Sequence, residues 1–178
     1  MRMRWTIAAF GALALAFTTL HTDLPLPWSE AAADGICDAS AKAAPLNFTL
    51  KDMQNKDVKL AAFKGKVLVV DFWATWCGPC KLEIPGFVDL QTRYGSKGLQ
   101  FVGISVDDKL DQLKPYVDEY KMNYPVLQGL GHDDVQDAFG PIWGIPTTIV
   151  VGRDGKICRK HQGAVAKDVF EREIKSLL

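Results

Sequence analysis

The sequence predicts an α/β domain, with a central mixed β-sheet flanked by helices on both faces. Two near-continuous apolar runs, Lys66 to Trp73 and Leu99 to Val106, are each followed by a stretch of helical periodicity. Strands that lack polar alternation are buried on both faces, as parallel strands joined by crossover helices are. Near the C-terminus, Arg153-Asp154-Gly155 separates Thr147 to Val151 from Lys156 to Lys160 as a hairpin turn. A hairpin added to two parallel units makes the sheet mixed.

The other elements follow in chain order. Phe48 to Leu50 and Val58 to Leu60 read as short strands around a polar turn at Asp52–Asp57, an N-terminal β-hairpin. The helix after the first buried run covers Pro79 to Tyr94. Pro79 suits a first turn, where a missing N–H costs no hydrogen bond, and Pro85 should kink the helix. Leu110 to Tyr120 is a helix with Leu110, Leu113 and Val117 on one face. Pro125 to Leu127 and Asp133 to Phe139 form an inserted strand and short helix, and Val165 to Leu178 is a closing helix.

The 178 residues suit one domain with a short extension, and 48% apolar content is globular rather than disordered. Lys plus Arg equals Asp plus Glu at 21 each, with no basic run in the body of the chain, which argues against nucleic acid as a partner. The N-terminus differs: Arg2 and Arg4 precede an apolar stretch, Trp5 to Leu20, with no acid before Asp23. This is the pattern of a signal peptide or signal anchor over residues 1–20. The run is about sixteen residues, slightly short of the roughly 20 of a spanning helix. The small residues Ala31 to Ala33 resemble a cleavage site but lie far downstream, so an anchor is favoured. In either case Arg2 and Arg4 stay inside and the domain is exported. Residues 21–45, with Pro25, Pro27, Gly35 and Pro45, read as a linker, and residues 46–178 as the domain.

The chemistry-bearing motif is Trp76-Cys77-Gly78-Pro79-Cys80. Cys77 falls where a buried strand ends and a helix begins, and the helix N-terminus favours a thiolate there. Cys80 is one turn further on the same face, so the two sulfurs can meet. Cys77 is expected to be the exposed nucleophile and Cys80 the buried resolving thiol, exchanging disulfides with protein partners. The alternatives are half of a zinc site or a static disulfide. Zinc needs four ligands, and the remaining cysteines, Cys37 and Cys158, are single and far apart. Cys158 and His161 lie at an odd offset on one strand and so point to opposite faces. No metal and no cofactor are expected.

The segment from Val70 to Cys80, Val-Asp-Phe-Trp-Ala-Thr-Trp-Cys-Gly-Pro-Cys, resembles a thioredoxin active-site segment, and Gly144-Ile145-Pro146-Thr147-Thr148 resembles the cis-proline loop of that fold. The leading strand pair, the insertion around Tyr124-Pro125-Val126 and the run Cys80-Lys81-Leu82-Glu83-Ile84-Pro85 narrow the likeness to the TlpA/ResA-like thiol–disulfide oxidoreductases. The resemblance implies a thioredoxin-like fold and a cis Ile145–Pro146 bond whose backbone holds substrate as an added strand. It implies that Trp76 belongs to the docking surface, with Trp73 either flanking the dithiol or packed in the core. It matches Asp71 to the buried acid of thioredoxins and Glu83 to the active-site glutamate of the narrower group. Many TlpA/ResA relatives carry a neutral residue at the first position, so two acids are a departure. Burial should raise the pKa of Asp71, which suits a proton acceptor for Cys80. The alternatives are a structural hydrogen bond for Asp71 and a solvated, lysine-paired acid for Glu83.

Some TlpA-like proteins carry a second, structural disulfide, and in an oxidising compartment Cys37 and Cys158 are expected to pair. Intermolecular pairing or free thiols are the alternatives. The resemblance further implies a monomer in the periplasm, anchored in the inner membrane by residues 5–20. It would be fed by a membrane-embedded thiol donor and reduce proteins in cytochrome c maturation or in copper-site and oxidase assembly. Two other functions compete. A peroxiredoxin-like peroxidase needs Pro-x-x-x-Thr-x-x-Cys, but Val70 and Ala74 stand at those positions. A copper-binding module on the same fold typically spaces its cysteines by three rather than two.

Overall fold

The computed structural model describes residues 36–38 and 40–178. The basic-apolar segment 1–20 and the linker residues 21–35 lie outside the described residues. Within them, seven strands form one sheet in the order β2-β1-β5-β4-β3-β6-β7. The elements are β1 (Thr49–Asp52), β2 (Asp57–Lys59), β3 (Val67–Trp73), α1 (Gly78–Tyr94), β4 (Leu99–Ser105), α2 (Leu110–Glu119), β5 (Val126–Gln128), α3 (Asp133–Ala138), β6 (Thr147–Val151), β7 (Ile157–Gln162) and α4 (Lys167–Leu177). Strands β3, β4 and β5 run parallel, whereas β1, β2, β6 and β7 join by antiparallel pairing. The mixed sheet expected from the two apolar runs and the hairpin is therefore present.

The apolar runs are continuous because both faces of β3 are covered. All seven of its residues are buried. Val67, Val69 and Trp73 pack with Ile84, Phe87 and Leu90 of α1, Leu113 and Tyr116 of α2, and Phe170 and Ile174 of α4. Leu68, Val70 and Phe72 pack on the opposite side with Val135 of α3, Phe139 and Leu60. Asp71 takes the α1 face of this strand by alternation. Gly103 of β4 stands beside Asp71 in the ladder, and a Cβ there would lie 2.8 Å from Trp73 Nε1. Glycine at 103 is what lets the indole lie flat on the sheet.

Residues 36–38 and 40–45, expected as linker, lie along the last hairpin instead. Ala44 N–H donates to Gly155 C=O (2.8 Å), Ile157 N–H donates to Lys42 C=O (2.8 Å), and Ala43 bridges Lys156. The physical reason is the edge position of β7, whose outer N–H and C=O groups need partners. A disulfide joins Cys37 to Cys158 over a sequence separation of 121. Replacing both by serine should cost about 2–5 kcal/mol, since a cross-link of that span limits the unfolded chain. Urea unfolding should show a lower midpoint while thiol exchange at Cys77 is retained. An unchanged midpoint would remove the stabilising role.

Candidate active site

Cys77 is the N-cap of α1, and its sulfur accepts the Cys80 backbone N–H at 3.2 Å. Pro79 occupies the first turn, where it sacrifices no helix bond. Cys77 and Cys80 are disulfide-bonded, with Cα atoms 5.3 Å apart. Once the pair is reduced, the free N–H groups and the dipole at this end of a 17-residue helix favour a thiolate at Cys77. The expectation of an exposed Cys77 needs correcting, because it is 3% exposed in this oxidised form and Cys80 is 1% exposed. The Cys77 side chain is turned inward, bonded to the Cys80 sulfur and N–H, rather than outward.

The loop into the helix is fastened from β4. The Asp108 carboxylate is buried and accepts from Thr75 N–H (2.7 Å), Thr75 Oγ1 (2.6 Å) and Ser105 Oγ (2.6 Å). Trp76 Nε1 donates to Asp107 Oδ1 at 3.0 Å, which leaves the ring 63% exposed beside the dithiol. Trp73 is fully buried, packed at a tilt against Tyr116 with ring centroids 5.1 Å apart, so it belongs to the core.

Asp71 and Glu83 are the buried acids on the strand and the helix that flank the dithiol. Asp71 is 2% exposed, and Thr148 Oγ1 donates to its Oδ1 at 3.2 Å. Burial, reinforced by the charge of Glu83, pushes the Asp71 carboxyl from 3.8 up to about 8, against the Thr148 bond. Glu83 lies one helical turn beyond Cys80 and is 6% exposed, so it is not a solvated surface acid. Its Oε1 accepts Val165 N–H at 2.7 Å, and its Oε2 is buried with no partner among the described residues. Burial raises its pKa, opposed by the Val165 N–H and by His161. A carboxyl pushed upward, with one oxygen free, takes a proton more readily than an ordinary carboxylate.

The Ile145–Pro146 peptide bond is cis. Register places this loop at the active end of the sheet: Thr147 pairs with Phe72 and Thr148 with Asp71, so Pro146 comes level with the end of β3 that leads into the dithiol loop. Ile145 packs against the cluster that contains Cys77 and Cys80. Thr147 Oγ1 donates to Gly144 C=O (2.7 Å) and holds the turn before the proline.

Several residues of this region escape a reading of motifs. Asp108 and Thr148 carry the bonds that fix the loop and orient Asp71; Asp107-Asp108 directly after an apolar strand was the available signal for the first. Trp143, 84% exposed just before the cis-proline turn, is an unpartnered aromatic that nothing in its spacing distinguishes from core.

Comparison with known proteins agrees with this geometry. Residues 41–160 match the model of the AhpC/TSA family. The chain is 32% identical over 136 residues to a thiol-disulfide oxidoreductase ResA of Bacillus thuringiensis subsp. konkukian, covering 76% of this chain and 77% of that protein. It is 36% identical over 136 residues to the ResA of Oceanobacillus iheyensis, covering 72% and 68%. Among solved structures, a thioredoxin-family thiol:disulfide interchange protein from Chlorobium tepidum superposes with a TM-score of 0.71 at 35% identity, covering 79% of this chain and 99% of that one. On the match of fold and sequence together, the chain belongs to the AhpC/TSA family and, within it, to the ResA-like thiol–disulfide oxidoreductases of thioredoxin fold.

Proposed function

We propose that the protein works outside the cytoplasm as a reductant of protein disulfides, with Cys77 as nucleophile and Cys80 as resolving thiol. The observation that carries the direction is the pair of buried carboxyls behind the sulfurs. A dithiol is a strong oxidant when its reduced thiolate form is stabilised. Here the helix N-terminus favours the Cys77 thiolate, while the burial that raises the pKa of Asp71 and Glu83 opposes further negative charge in the same region. That balance favours the disulfide form and hence electron donation.

The steps follow from the geometry. The Cys77 thiolate attacks a partner disulfide, forms a mixed disulfide and releases one partner thiolate. Cys80 gives its proton to the Asp71–Glu83 pair, through whichever carboxyl is ionised, and its thiolate attacks the Cys77 sulfur. The Cys77–Cys80 bond forms and the second partner thiolate leaves, so two electrons pass to the partner. Trp76 and the backbone at Ile145 and Pro146 are the docking surface, with the partner chain laid alongside as an extended strand.

Export is supported by the basic-apolar N-terminus and by the Cys37–Cys158 cross-link, which an oxidising compartment preserves. The oxidised dithiol must be recharged, and a membrane-embedded thiol carrier beside the anchored N-terminus fits that need. The substrates that suit such a reductant are exported cysteines needed as free thiols, in apocytochrome c or at copper sites.

Two measurements test this reading. Equilibration with dithiothreitol or glutathione should give a reduction potential near that of thioredoxin, roughly −270 mV; a value near −120 mV overturns the direction. The double variant Asp71→Asn with Glu83→Gln should reduce a disulfide substrate about 10²-fold more slowly at neutral pH, the scale of a lost general base. An unchanged rate removes the two carboxyls from the proton path.

A further inference from the structure

The strand register extends the buried acids into a longer row. Asp71 of β3 stands opposite Thr148 of β6, and Thr148 stands opposite His161 of β7. Residues directly opposite in an antiparallel ladder project from the same face. His161 therefore lies in the row that begins with Asp71 behind the dithiol, on the side covered by α1 and α4. Its ring stands edge-on to Phe170 at 5.2 Å, and Phe170 lines a cleft of about 260 Å³ together with Glu83 and Val165. The imidazole is partly buried, and its Nε2 is 2.9 Å from Glu173 Oε2 of α4, itself largely shielded.

The groups that face His161 come from every element around it. β3 supplies Asp71, β6 supplies Thr148, α1 supplies Glu83 and α4 supplies Glu173. On its own strand, Arg159 Nε reaches Glu173 at 4.0 Å. Lys160 turns the other way and bonds the carbonyls of Gly140 and Pro141. Lys167 at the mouth of the cleft is held by Asp89 at 2.8 Å. Among these groups, His161 is the imidazole that acts on the Glu83 carboxyl from the sheet, and Glu173 holds it in place.

We propose that His161 is a positioning residue for the dithiol chemistry: its charge, held by Glu173, sets how readily Glu83 takes the Cys80 proton. Positive charge on the imidazole favours the ionised form of Glu83, and removing it leaves burial to hold the Glu83 proton more tightly. The direction agrees with the electrostatics of Glu83, where burial acts upward and His161 acts downward. No atom of His161 touches the sulfurs, so its effect passes through Glu83. The proposal rests on the reading of Glu83 as a proton acceptor.

The test is a ¹³C-carboxyl NMR titration of Glu83 in the oxidised full chain, beside the pH–rate profile for reduction of a disulfide substrate. In His161→Gln the Glu83 midpoint should rise by about 0.5 to 1 pH unit, and the rate profile should move the same way. His161→Arg restores a fixed cation and should bring the midpoint back down. Lys160→Gln, on the opposite face of the same strand, should leave it in place. An unmoved Glu83 midpoint in a His161→Gln protein with native near-ultraviolet circular dichroism overturns the proposal. A midpoint that moves while the rate profile stays fixed supports the coupling and overturns the proton-acceptor reading instead.

Discussion

Cys80→Ser should convert the enzyme into a trap. Cys77 keeps its place at the N-cap of α1 and can still attack a partner disulfide, but no second thiol is at hand to release the product. Turnover should fall to about one thousandth of wild type or less, as when one member of a unit that acts together is removed. A mixed disulfide should accumulate, visible as a band on non-reducing gels that dithiothreitol abolishes. Cys77→Ser should be equally inactive and trap nothing. If Cys77→Ser traps partners and Cys80→Ser does not, the assigned polarity of the pair is reversed. The same variant, expressed in the native compartment, identifies partners by mass spectrometry of the trapped adducts.

The shallow burial difference between the two sulfurs makes this experiment necessary. Sequence spacing predicted an exposed attacker and a buried resolver, yet both cysteines are covered in the oxidised form. What distinguishes them is position. Cys77 caps the helix and feels its dipole most directly, whereas Cys80 is inside the first turn, one turn from Glu83.

Patterns that depend on local chemistry were legible in the sequence. The buried runs at β3 and β4, the Asp154-Gly155 turn and the start of α1 all follow from apolar continuity, turn residues and a proline where a helix tolerates one. Cys77, Cys80, Glu83 and Pro146 were found because short motifs mark them. What escaped depends on long-range register. Thr148 meets Asp71 only because β6 pairs antiparallel with β3, and His161 joins that row only through β7. The sequence relates His161 only to Cys158, at an odd offset on one strand, and no local pattern ties it to an acid on another strand. Asp108 likewise reaches across from the end of β4 to bond Thr75. The docking of residues 42–44 was hidden because their bonds are made by backbone atoms, which carry no side-chain signature.

Asp71→Asn should stabilise the oxidised protein by on the order of 3 to 5 kcal/mol at pH 8 and leave it unchanged near pH 4. The sign follows from proton counting. The unfolded chain releases the Asp71 proton near the ordinary value of 3.8, whereas the folded chain holds it until about 8. Between those limits the native state binds more protons than the unfolded state, so stability drains away as pH rises. Below the window both states are protonated and asparagine mimics the native carboxyl. Above it the deficit is constant. Urea unfolding from pH 4 to 9 should show the two proteins coincide at the acid end and separate steadily to pH 8. Curves that stay parallel would mean that Asp71 ionises normally in the fold. Glu83→Gln should narrow the window, because the Glu83 charge is the second cause of the raised Asp71 value, after burial. A carboxyl that weakens the fold at every pH above 4 is poorly explained by its single bond to Thr148, which asparagine could also make. Its position on the dithiol face of β3 fits the proposed role of proton acceptor for Cys80, a role that would account for a costly carboxyl where the hydrogen bond alone does not.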